Sequence, residues 1–149
     1  MKPDENLPVP VLPSLDSFEL EGTPDGEIIT FKLAGDGSVG WSARFVQMPF
    51  LRGTDGAVHI SGSCILQIDL TSVDSNQLSE IPGQPIRITP DGNASTVAEV
   101  LSYPSSDSVA QSFVGTRSRT PEVTVDTSID IRMITVAITD ELHPPAAAR

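Results

Sequence analysis

The chain has 149 residues, a formal net charge of −11, one cysteine and only 5% aromatic residues. That length suits one domain with a modest core. The acidic balance works against nucleic acid and anionic lipid surfaces as partners, and a single thiol excludes an internal disulfide and a cysteine-built metal site.

No apolar run approaches the roughly 20 residues that span a bilayer, so direct membrane insertion is not expected. The start, "MKPDENLPVPVLPSLDSFEL", lacks the basic-then-apolar order of a leader. Any leader or anchor is expected upstream of Met1. Pro3, Pro8, Pro10 and Pro13 disfavour both helix and central strand, so residues 1–22 read as an extended Pro-rich arm. The folded domain is expected over 23–140. "ELHPPAAAR" closes the chain as a flexible tail over 141–149.

"TPDGE" is a strong turn. It leads into "EIITFKL", where Ile29, Phe31 and Leu33 share one face of a strand. "WSARF" sets Trp41, Ala43 and Phe45 against Ser42 and Arg44. The Gly-bearing stretch "RGTDGAVHISGS" reads as a connection and lacks the strand–loop–helix context of a phosphate cradle. "CILQIDL" alternates Cys64, Leu66, Ile68 and Leu70 against Gln67 and Asp69. "IRI", bracketed by Pro85 and Pro90, suits a short edge strand. "STVAEVLSY" alternates Val97, Glu99 and Leu101 against Ala98 and Val100. "SVAQSFVGT" and "EVTVD" are rich in strand formers, and "IRMITVAIT" turns Ile134, Val136 and Ile138 inward. About seven to eight short strands at even spacing predict an all-β fold, an antiparallel β-sandwich or a partly closed barrel.

Catalytic chemistry finds little support. Cys64 falls in the apolar set of its strand and reads as a small core residue. His59 and His143 are the only candidate bases for it. Asp126 and Asp130, four apart, are an acid–base pair only if they converge in a cleft. Asp91 to Asn93 is a turn before it is a calcium loop, and Asn93-Ala94-Ser95 is a formal glycosylation sequon. No metal site or cofactor is expected. Positive charge is scarce, so the arginines stand out: Arg117 and Arg119, two apart, share a face if their segment is extended, and with Arg44 they could grip a carboxylate or phosphate. Trp41 offers an indole platform for a sugar ring if it is exposed. The candidate ligand-binding residues are therefore Trp41, Arg44, Arg117 and Arg119.

Taken in order, "ITFKLAG", "GWSARFVQMPFLRGTDGAVHISGSCILQIDLTSV", "IRITPDGNASTVAEVLSY" and "SFVGTRSRTPEVTV" resemble the AMIN-like domain of actinobacterial envelope proteins, many of them lipoproteins. The matching features are Gly40-Trp41 through Phe45-Val46, Gly56 through Gly62, Cys64 to Leu70, Val97 to Val100, Gly115, Arg119 to Val123, and Ile134 to Ile138. Glu122 departs from the pattern, standing where an apolar residue is usual. The resemblance implies a β-sandwich in the cell envelope, outside the cytoplasm and without enzymatic activity. Its name comes from likeness to the AMIN domains that help localise cell-wall amidases, so the implied partner is cell-wall glycan or another envelope protein. The expected role is a non-catalytic binding or scaffolding module. The alternative is a structural or adaptor subunit of a larger assembly, a secreted complex or phage particle, joined through sheet edges.

Overall fold

The computed structural model describes residues 12–140 apart from 25, 36, 38, 52–55, 75–84, 91–95 and 129–131. Its strands are Ser14–Thr23 (β1), Gly26–Ala34 (β2), Gly40–Val46 (β3), Cys64–Thr71 (β4), Ile86–Ile88 (β5), Val97–Ser102 (β6), Val109–Thr116 (β7), Pro121–Thr127 (β8) and Met133–Asp140 (β9). They form a four-stranded sheet, β1-β2-β9-β8, and a five-stranded sheet, β3-β4-β7-β6-β5. Every pairing between named strands is antiparallel. The fold is a β-sandwich of two sheets, and no helix occurs among the described residues.

The core lies between the sheets. Ile29, Phe31, Ile134, Val136 and Ile138 from one sheet meet Leu66, Ile68, Leu70, Val100 and Val114 from the other, each at most 1% exposed. Burying one such side chain contributes about 1.5–3 kcal/mol. Phe18 stacks on Phe31 with ring centroids 6.1 Å apart. The alternations expected for β2, β4 and β9 hold, and β5 is the short edge strand its flanking prolines announce.

Three expectations need correction. Residues 14–22 are not arm: they form most of β1, paired along its length with β2. Pro13 is the last proline before Thr23, and a register shift between Leu15 and Ser17 brings Leu15, Phe18 and Leu20 to the core side, disguising the alternation. With β1 included, the described strands number nine, more than expected. In β6 a register shift between Val97 and Glu99 puts Val97 and Val100 in the core, while Leu101 joins a cluster on the opposite face. The set Val97, Glu99 and Leu101 is therefore split.

That opposite face is covered in part by the segment after β3. Val58 N–H donates to Pro49 O at 2.9 Å, and Phe50 bridges Ala57, folding the segment back on itself. It lays Val58, Leu51 and Ile60 over Leu101, Phe113, Ile65 and Tyr103. Tyr103 meets Phe113 edge to face, centroids 6.0 Å apart. Gly115 makes this cover possible: a Cβ there would lie 1.7 Å from Ser61 O. Glu99, 6% exposed, accepts from Ser61 N–H at 3.1 Å and pairs with Arg87 on β5, tying cover and edge strand to β6.

Candidate functional site

Beyond that cover, the outer face of the five-stranded sheet carries a groove among the described residues. Cross-strand partners share a face, so the register Ser42↔Asp69↔Gln111 draws one polar row across β3, β4 and β7. Arg44↔Gln67 forms the next row. Met48 and Phe50, just after β3, complete an open groove of about 450 Å³. Both are well exposed, Met48 at 69%.

The groove floor is a fixed polar cluster. Gln67 Nε2 donates to both oxygens of Asp69, at 3.1 and 3.0 Å, and Gln111 Nε2 donates to Asp69 Oδ1 at 3.1 Å. Gln67 and Gln111 are 6% and 5% exposed. One carboxylate thus holds two buried amides in a single orientation. Gln67 Oε1 accepts from no protein group among the described residues and remains an acceptor on the floor. Arg44 is exposed and forms no ion pair among the described residues, so its guanidinium is available to an anionic group.

The four residues singled out from the sequence fall in three places. Arg44 lines the groove. Trp41 is 44% exposed but belongs to the inward-facing set of β3, with Ala43 and Phe45, and so lies on the opposite face from Arg44. Arg117 and Arg119 sit in the bend between β7 and β8, which removes the alternation that would put both on one face. Arg119 O accepts from the Cys64 thiol at 3.6 Å; Cys64 is partly buried. Gln67, Asp69, Gln111, Met48 and Phe50 were not singled out as site residues. The outward position of Gln67 and Asp69 was legible in "CILQIDL", but their union with Gln111 required the strand order.

His59 is exposed on the segment over the five-stranded sheet, and Asp126 is exposed on β8 of the other sheet. Asp130, His143, Asp91 to Asn93 and the sequon at 93–95 lie outside the described residues. No group of His, Cys, Asp or Glu suited to a metal ion occurs among the described residues, nor does a helix long and apolar enough to cross a membrane.

Sandwich and groove together define an all-β module with an open surface groove of mixed polar and apolar lining. The AMIN-like domain family matches residues 27–139, most of the chain, and the chain belongs to that family. No curated protein and no solved structure matches it.

Proposed function

We propose that this chain is a non-catalytic, extracytoplasmic binding module of the cell envelope, and that the groove beside β3 holds cell-wall glycan with its attached peptide. The observation that carries the reading is the Asp69 carboxylate with its two fixed amides, in a groove also lined by Arg44, Met48 and Phe50. Sugar hydroxyls both donate and accept, which suits carboxylate and amide groups held in fixed directions. A pyranose face packs on an apolar ring such as Phe50. Arg44 suits the carboxylate of a short peptide. The volume falls within the range of about 300–1,000 Å³ usual for small-ligand sites. Membership of the AMIN-like family supports an envelope role. Placement in an actinobacterial lipoprotein rests on the sequence resemblance alone.

The test is co-sedimentation with isolated peptidoglycan sacculi across a salt series. Asp69→Ala or Arg44→Ala should abolish pelleting that Arg117→Ala with Arg119→Ala leaves intact. If only the latter pair or Trp41→Ala abolishes it, the groove is the wrong site. No pelleting at all removes the wall as ligand of this module.

A second reading, a subunit joined to others through a sheet edge, is favoured by Trp41 and Phe45, both exposed on edge strand β3.

A further inference from the structure

The sandwich has four sheet edges, and three carry the usual protection against strand pairing. β1 bears Asp16, Glu19 and Glu21. β8 bears Glu122 and Asp126. β5 is three residues long between Pro85 and Pro90. β3 has seven residues, none of them Asp, Glu, Lys or Pro, and its single charge is Arg44. Its backbone bonds β4 on one side, and among the described residues no backbone hydrogen bond is made on the other. Of the six large apolar side chains left exposed among the described residues, four (Trp41, Phe45, Met48 and Phe50) fall on this strand or directly after it; Leu12 and Met133 lie elsewhere.

The order of residues on β3 is self-complementary. Trp41 and Phe45 stand two positions to either side of Ala43, on the same face. An antiparallel copy centred on Ala43 sets each Trp41 opposite a Phe45 and each Ser42 opposite an Arg44. Centring on Arg44 would oppose two guanidinium groups, and centring on Ser42 would separate the aromatic pair. Odd registers would pair an inward-facing residue with an outward-facing one. We infer that β3 pairs with β3 of a second copy of this chain, antiparallel about Ala43, joining two five-stranded sheets into one. The aromatic pairs cover the edge of both cores, and the two grooves lie on one continuous face. The pairing does not rest on the identity of the groove's ligand, but it shares Ser42 and Arg44 with the groove lining. Because each chain carries a net charge of −11, added salt strengthens the association by screening repulsion between the copies.

Sedimentation equilibrium of the full chain, from micromolar to millimolar, tests this with two variants at the exposed Ser42. Ser42→Glu places a carboxylate opposite each Arg44 and should tighten the dimer about tenfold; Ser42→Lys opposes like charges and should weaken it about tenfold. Trp41→Ala with Phe45→Ala should leave only monomer. A chain that stays monomeric throughout, or a dimer whose constant the two Ser42 variants do not move in opposite directions, overturns the pairing.

Discussion

Glu27, at the start of β2, accepts a hydrogen bond from the backbone N–H of Val97, 70 residues away on the other sheet. Glu27 is 6% exposed and Val97 fully buried, so the bond is shielded from water. It meets β6 at its register shift, where the ladder to β7 is interrupted. Glu27→Ala leaves a buried N–H without this acceptor and should cost about 1–3 kcal/mol. Glu27→Gln, which keeps an acceptor, should cost less. Urea unfolding of the two variants measures the difference, and equal costs would assign the loss to packing instead.

Gly115 and Gly62 set the height of the segment over the outer face. At Gly62, φ is +150° and a Cβ would fall 2.7 Å from the Gly115 Cα. Gly115→Ala should therefore lift the segment off Phe113 and Leu101 and cost about 1–3 kcal/mol through strain. Faster exchange of the Val58 and Ser61 amides, whose acceptors are Pro49 O and Glu99, should accompany it. Unchanged exchange at both would mean that the contact is relieved locally.

Tyr103 is the only tyrosine, so ultraviolet titration of phenolate reports on it alone. Burial raises its pKa from the ordinary value of 10.0, and the Arg87 guanidinium opposes that rise. The raised folded pKa means that the native state holds its proton after the unfolded chain has begun to lose it. The associated stability is intact below pH 10 and is lost as pH climbs through the folded pKa. Arg87→Ala should move the titration upward, since it removes the opposing charge. A downward shift would reverse the assigned sign.

Trp41 is likewise the only tryptophan. At dilute concentration its fluorescence should be readily quenched by acrylamide in the folded state, because the ring is 44% exposed. Poor quenching there would place the ring under cover.

Much of the sandwich was legible because β2, β4 and β9 alternate without interruption and bury Ile29, Phe31, Leu66, Ile68, Ile134 and Val136 as a period of two requires. β1 and β6 were harder for one shared reason. Each has a register shift, so inward residues recur at a spacing of three, Leu15 to Phe18 and Val97 to Val100. The groove was less legible than the strands. Asp69 and Gln111 are 42 residues apart, and nothing local in either strand says that β4 and β7 are neighbours. Arg44 was accessible to sequence reasoning because it carries scarce positive charge; Gln67 and Gln111 carry no such mark.

Along β4 the five-stranded sheet turns different chemistry to its two faces. Leu66, Ile68 and Leu70 face the core, while Gln67 and Asp69, between them in sequence, face the groove. Two of the groove's apolar side chains, Met48 and Phe50, come from outside the sheet. A change such as Met48→Ser should shift unfolding free energy by no more than about 0.5 kcal/mol, yet it alters what a ligand would meet. Such a surface can drift under selection while the frame beneath it is inherited almost unaltered.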